Sequence, residues 1–391
     1  MSTGASPDEP RLPLRDVRVV EFCQIAAGPF CGMLLADQGA DVVKVEPPSG
    51  DGMRTWPPLT GADSENFASI NRNKRSIVLD LKDPAQVGVA LRLCDTADAV
   101  IENFRPGVMR RLGLGDEVLA ARNPRLVRCS ISAFGQQGPR SGEGGFDVTL
   151  QAIGGVMSVT GEPGGGPVKS GVPFTDFAAG LYAALAVVSA LHEARRTGRG
   201  AAIDVPMLGT TLAVAALQTS EYFGTGRDPA RLGSAHPRNA PYQAFRCADG
   251  HFVMAAGTDD LFRRACAWMG RADLADDPRF ASTALRSAHQ GALAAIVEDA
   301  VHARTVAACL DGLRAAGVPC APINRYSEAL ADPQVGHYGW VQPLALPGGG
   351  RTRTFGDPLA LNAPVRRRPP ALGEHTQEIL EELERWRTSR D

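Results

Sequence analysis

The chain has 391 residues, enough to bury a sizeable core and to form two domains, or one large domain carrying a smaller one. Its 44% hydrophobic and 21% charged residues fit a soluble globular protein, and a net charge of -2 excludes bulk attraction to nucleic acid or an anionic membrane surface. The eight cysteines are scattered, with no C-x-x-C pair. That pattern argues against a disulfide framework or a zinc site and for reduced, mostly buried thiols in a cytoplasmic protein. The polar opening "MSTGASPDEPRLP" lacks the apolar core of a signal peptide.

In chain order, "VRVVEF" is a β-branched run centred on residues 18–22, "FCGMLLADQGA" has helical spacing with a glycine stop, and "DVVKVE" at 41–46 is strand-like again. This strand–helix–strand opening predicts a parallel sheet with crossover helices. Further strands are expected at 75–81, 97–103 and 125–132, with helices near 84–95 and 107–120. Five strands alternating with helices read as a doubly wound α/β domain. Residues 135–170, rich in Gly, Ser and Pro, are expected to be loops beside a site. A helix over 176–197 follows, then "AAIDVPML" and a second apolar helix near 208–223. Residues 224–241 read as a linker, and 242–257 as a hairpin turning at Asp249-Gly250. Helices within 259–316 complete a second domain, and a charged helix at 375–387 closes the chain.

Several chemistries are poorly supported. No G-x-G-x-x-G opens the first helix and no P-loop occurs, which disfavours a plain dinucleotide or ATP enzyme. No G-x-S-x-G nucleophile elbow is present. Histidine is absent before His192, and no pair has metal-ligand spacing, so no metal is expected.

Asp176 stands out. It sits at the edge of fifteen uncharged residues, Phe177 to Leu191, a stretch too short to cross a bilayer and read as a buried helix. Asp is a favoured N-cap, which is one reading. The other is chemical: a carboxylate at a helix N-terminus stays ionised, and against apolar walls it is poorly hydrated and suited to attack an acyl carbon. Gly164 to Gly166 either supply backbone amides to a developing oxyanion or simply loosen a loop. Local spacing leaves both questions open.

Six segments in order add a resemblance: "EFCQIAAGPFCGMLLADQGADVVKVEPPSGD", "NRNKRSIVLDLKD", "IENFRPGVMRRLGLG", "SISAFGQQGP", "GFDVTLQAIGG" and "GVPFTDFAAGLYAALA". Together they resemble the family III CoA-transferases (CaiB/BaiF type), from about residue 13 to 380. The resemblance implies a Rossmann-like large domain over 13–225, completed by about 340–391. It also implies a smaller α+β domain over 226–330, a return linker at 331–345, and an interlocked homodimer. Asp176 matches the family's catalytic aspartate, which forms an anhydride with the acyl group of a CoA thioester and then an aspartyl-CoA thioester. Asp147 falls where a supporting carboxylate is found, with a loop-capping role as the alternative. The implied CoA-binding positions are Ile25, Leu79, Lys82, Asn103, Phe104, Arg111 and Met207, with Lys82 and Arg111 offering cations to phosphates. CoA thioester is expected as substrate, with no permanently bound cofactor.

Two departures shape the substrate expectation. The formyl-CoA transferases of that family carry a run of glycines leading into the small domain, where this chain reads "RLGSAHPRNAPYQAF"; and an early glutamine position is Ala26 here, with Gln24 nearby. That segment and "PVKSGVPFTD" look more like members using succinyl-CoA and a dicarboxylic acid. The competing activity is racemisation of 2-methylacyl-CoA, which needs a His directly before the position of Asp147; that position is Phe146. A non-catalytic CoA-binding protein is the third reading, opposed by retention of Asp176 within its motif.

Overall fold

Residues 12–359 and 363–388 are described by the computed structural model. Strand β1 (Arg18–Phe22) is followed by helix α1 (Ala27–Asp37) and strand β2 (Asp41–Glu46). After a short helix α2 (Glu65–Asn71) come β3 (Lys74–Val78), α3 (Pro84–Asp95), β4 (Ala99–Glu102) and β5 (Val127–Ser132). Helix α4 (Asp147–Ile153), helix α5 (Phe174–Thr197), strand β6 (Ala202–Pro206) and helix α6 (Met207–Val214) complete the part that carries the site. The six strands pair in parallel in the order β3-β2-β1-β4-β5-β6. This is the doubly wound arrangement, with its order reversing between β1 and β4.

Period-two alternation builds the two layers. Val19, Val42, Ala99 and Val127 face one core with residues of α1 and α5, while Val20, Val43 and Val100 face a second with α3 and the C-terminal helix (Thr376–Thr388). Close approach of α5 to α1 depends on Gly180: a Cβ there would lie 2.8 Å from the Ala27 carbonyl oxygen and 2.9 Å from Phe30.

One sheet layer carries charge where apolar residues would be ordinary. Glu21, Lys44 and Lys74, from β1, β2 and β3, are all fully buried. Lys44 donates to Glu21 Oε1 at 3.0 Å and to Cys23 O at 2.7 Å, and pairs with Asp51 at 2.9 Å. Lys74 lies 2.8 Å from Glu21 Oε2 and donates to Pro29 O and Asn71 Oδ1. Burial pulls both ammonium groups down. At Lys44 the carboxylates of Glu21, Asp51 and Glu46 outweigh it and hold the group well above its usual range. At Lys74 burial prevails over Glu21, with Lys44 repelling. Gly32 of α1 is required above this cluster, since its Cβ would stand 1.8 Å from Glu21 Oε2.

The chain separates into two compact units: the first takes the chain up to Val156, Ser170–Thr225 and the chain from Pro333 on, and the second takes Met157–Lys169 and Gly226–Asp332. In the first, the chain's end returns to the sheet. Arg75 bonds Asp41, Glu378 and Glu382 together, and Asn73 accepts from the backbone of Arg366 and Arg367. In the second, strands Tyr242–Cys247, Gly250–Ala255 and Cys320–Pro322 form an antiparallel sheet. It packs with helices Asp259–Met269, Gln290–Val301 and Val306–Ala315 around a separate core.

Several boundaries differ from the sequence expectation. A sixth strand, Ala202–Pro206, joins the five expected. The hairpin turns at Ala248-Asp249, one residue early, with Gly250 already paired to Cys247. The helix expected over 107–120 is two helices, Val108–Arg111 and Asp116–Arg122, because Gly113 between them takes φ +75°. Helix α5 starts two residues before Asp176, so its N-cap is Pro173 and not Asp176. At 24 residues α5 is also long and apolar enough to cross a membrane by length and composition, although Ala179, Gly180, Ala183 and Val187 are buried in the first unit.

Glu21→Gln should cost on the order of 3–5 kcal/mol in urea denaturation at neutral pH, because two buried ammonium groups lose their shared carboxylate. Lys74→Met should cost clearly less, since Glu21 keeps Lys44. An equal loss in both variants would contradict this account of the cluster.

Candidate active site

In a doubly wound sheet the strand order reverses at one point, and the loops leaving the two strands there diverge and open a crevice. Here those loops follow β1 and β4. A cavity of about 320 Å³ lies between them, lined by residues 24–27, 103–106, 131–133 and 143–146, with Asp176 and Met207.

Asp176 enters this crevice from the first turn of α5. It shares a helix face with Gly180, one turn on, whose missing side chain lets that face reach α1. Among the described residues its carboxylate has no hydrogen-bond donor and no cation. Burial raises its pKa, with Asp147 adding to the effect, to about 7. The expectation that the helix N-terminus alone would keep it readily ionised is therefore corrected: loss of water and a neighbouring carboxylate outweigh it.

Asp147 has the opposite surroundings. At the start of α4, its Oδ1 accepts from the Thr175 amide at 3.1 Å and the Thr175 hydroxyl at 2.8 Å. Its Oδ2 accepts from Gln151 Nε2 at 2.8 Å, and Gln151 in turn accepts from the Ser170 amide. Thr175 and Gln151 are fully buried. Asp147 thus caps the first turn of α5 from outside that helix, and so fixes the residue next to Asp176.

The sequence-predicted binding residues divide. Ile25, Asn103, Phe104 and Met207 line the crevice. Ile25 has a left-handed backbone, φ +68°, and donates its N–H to Asp51. Asn103 bonds both the N–H and the C=O of Gln24. Phe104 donates its N–H to Glu102, a carboxyl that burial raises to about 7. Leu79, in contrast, is buried in the core with Phe22 and Val45 and does not line the crevice. Lys82 and Arg111 are exposed and also outside the lining; among the described residues neither side chain has an ion-pair partner. Gly164 to Gly166 belong to the second unit, where the Gly165 amide closes a turn on Glu162.

Sequence reasoning missed Arg105, Asp51, Gln151 and Thr175. Arg105 lines the crevice with no acidic partner among the described residues, and its guanidinium lies over Gly144, where a Cβ would come within 2.8 Å of it. Its signal was legible, since it lies inside "IENFRPG". Asp51, Gln151 and Thr175 act through pairings that no local spacing reveals.

Among the described residues the lining thus offers one carboxylate without a partner, one guanidinium without an acidic partner and an apolar wall. That set suits attack on an electrophilic acyl carbon. It lacks a paired acid and base: the other acidic residue of the lining, Glu143, is tied to Arg140. The chain belongs to CoA-transferase family III, which it matches over residues 14–376. It is 41% identical to the succinate–glutarate CoA-transferase of Agrobacterium fabrum, over 95% of this chain and 96% of that one. It is 36% identical to the human succinyl-CoA:glutarate CoA-transferase, over 96% of this chain and 86% of that one. Among solved structures, a CaiB/BaiF family protein of Brucella suis superposes with a TM-score of 0.85 at 38% identity, over 95% of this chain and all of that one.

If Asp176 is the nucleophile of this transferase, its raised pKa sets a pH dependence. Only the ionised form attacks, so the donor kcat/KM should rise with pH through about 7. Asp147→Asn keeps the Oδ1 acceptor for Thr175, gives up the acceptor for Gln151 Nε2, and removes a negative charge, which makes Asp176 easier to ionise. The acid limb should move to lower pH while staying above the usual aspartate range, because burial remains. A pH–rate profile of acyl-CoA consumption checks this, and an unmoved or upward-shifted limb would contradict it.

Proposed function

We propose that this transferase moves CoA from succinyl-CoA to a dicarboxylate through covalent intermediates on Asp176. The Asp176 carboxylate attacks the thioester carbon and CoA thiolate leaves, giving a succinyl–aspartyl anhydride. The thiolate attacks the aspartyl carbon of the anhydride, releasing succinate and leaving an aspartyl-CoA thioester. The acceptor carboxylate attacks that thioester, forming a new anhydride and freeing the thiolate. Attack of the thiolate on the acceptor's acyl carbon yields acceptor-CoA and restores Asp176. No ATP is needed, because each step exchanges one activated acyl bond for another. The observation that carries this reading is a carboxylate without a hydrogen-bond donor in the switch-point crevice. The names of the succinate–glutarate relatives support the substrate pair.

Racemisation is disfavoured because the position where it needs a base holds a phenylalanine. Phe146 is 72% exposed at the start of α4 and carries no titratable group. No deuterium should enter C2 of 2-methylacyl-CoA in deuterated water, and rapid enzyme-dependent exchange would reverse this assignment.

Two further properties belong to the proposal. Leu181 and Leu185 of α5, with Leu217 and Phe223 of the helix Ala216–Thr225, are each more than half exposed. This exposed apolar surface supports the homodimer, which should stay intact at nanomolar concentration; a stable, active monomer by light scattering would contradict it. The eight unpaired cysteines support a reducing, cytoplasmic setting.

Asp176→Asn tests the nucleophile. Transfer should be lost, and hydroxylamine should trap an adduct on the Asp176 peptide of the wild type given succinyl-CoA alone. Stability should move the other way. The folded state holds the Asp176 proton up to about pH 7 while the unfolded chain releases it near 3.8, so ionisation destabilises the fold as pH rises through that window. At pH 8 the Asn variant should melt no lower than the wild type. Near-normal transfer by that variant would end the proposal.

A further inference from the structure

The segment between β1 and α1 is held in a conformation it would not adopt alone. Ile25 takes φ +68°, a left-handed backbone that β-branched residues avoid and that persists only where surroundings impose it. Three side chains from separate parts of the chain impose it. Lys44 of β2 donates to the Cys23 carbonyl at 2.7 Å. Asn103, just past β4, accepts from the Gln24 N–H at 2.9 Å and donates to the Gln24 carbonyl at 2.8 Å. Asp51 accepts the Ile25 N–H at 3.1 Å and pairs with Lys44 at 2.9 Å. Lys44 and Asp51 are buried, and neither lines the crevice, whereas Gln24, Ile25 and Asn103 do.

This arrangement changes the meaning of Asn103. Resemblance implies a ligand to CoA, but both ends of its amide are bonded to the Gln24 backbone. We propose that Asn103 and Asp51 are positioning residues: with Lys44 they clamp Cys23–Ile25 in the strained turn, so that Gln24 and Ile25 form the wall that sets the acyl thioester for Asp176. The inference rests on the transferase reading above. The cluster of buried charge in the sheet then has a purpose at the site, because Lys44 is the joint between Glu21 in β1, Asp51 and the turn.

The test compares wild type, Asn103→Ala, Asp51→Asn and the double variant in the full chain. Three quantities are read: the Kd for CoA by calorimetry, the single-turnover rate of adduct formation on Asp176 at saturating succinyl-CoA, and the melting temperature. Each single variant should slow adduct formation by about tenfold or more, since small misplacement of reacting atoms costs rate steeply, while the CoA Kd stays within about threefold. Because both residues act on one turn, the double variant should be within about threefold of the slower single. Asp51 is buried and does not line the crevice, so a slower step in its variant cannot come from a lost contact to CoA. If Asn103→Ala melts below the working temperature, Asn103→Asp keeps the acceptor for the Gln24 N–H, loses the donor, and should show the same split at smaller amplitude. Weaker CoA binding at an unchanged saturating rate would make Asn103 a direct ligand and overturn the proposal. Multiplicative slowing in the double variant would overturn it too. Adduct-free transfer by Asp176→Asn would instead overturn the nucleophile reading itself.

Discussion

The Glu21 carboxylate, buried between two lysines, is the interaction on which the rest of the site depends. A parallel sheet covered on both faces ordinarily holds only apolar side chains there. Placing three charges in it is tolerable only because all find partners: Lys44 and Lys74 each meet three acceptors among Glu21, Asp51, Asn71 and backbone carbonyls. Such a cluster is a weak source of stability compared with packed leucines, and breaking it is costly. What it supplies is directional. It ties three adjacent strands in register, requires a glycine in the helix above, and extends through Lys44 to the turn that lines the crevice.

Position of the crevice follows from topology, and its contents follow from where α5 sits. The reversal of strand order between β1 and β4 opens a gap whatever the side chains are. Placing a carboxylate in it requires a helix to approach from the side. Gly180 permits that approach, and the Phe30–Phe177 ring contact at 4.6 Å packs the residue after Asp176 against α1. The same closeness that positions the carboxylate removes its water and raises its pKa. Placement of the carboxylate and the energetic cost of burying it are one effect seen from two sides.

Much of this was legible in the sequence, and the remainder was hidden for physical reasons. The β-branched runs at 18–22 and 41–46 are strands, because alternation in a covered parallel sheet leaves an apolar signature. Strand Ala202–Pro206 was missed, since at the sheet edge it carries exposed residues and an Asp. The single helix expected over 107–120 and the early hairpin turn were misread because one glycine or one residue of register decides each. Asp176 was found by its contrast with its neighbours. Its freedom from hydrogen bonds was not, because that depends on Thr175 turning to Asp147, which lies 28 residues earlier. Lys82 and Arg111 show the converse: a cation in a motif is easily noticed, yet in the fold both stand outside the crevice lining, while the unremarked Arg105 is inside it.

The two aspartates of the site show how environment, more than residue type, divides labour. Asp147 receives three donors and is held still; every lone pair used in a hydrogen bond lowers its reach toward any other atom. Among the described residues Asp176 receives none and is left with its charge unshared. Exchanging their surroundings would exchange their capacities, since a carboxylate saturated with donors is a poor nucleophile and one without them is a poor anchor. The pair also explains why α4 and α5 begin side by side. Asp147 can restrain the Thr175 backbone only if the start of one helix faces the start of the other, and that restraint is what allows an undonated carboxylate one residue later to hold its direction without being bonded itself.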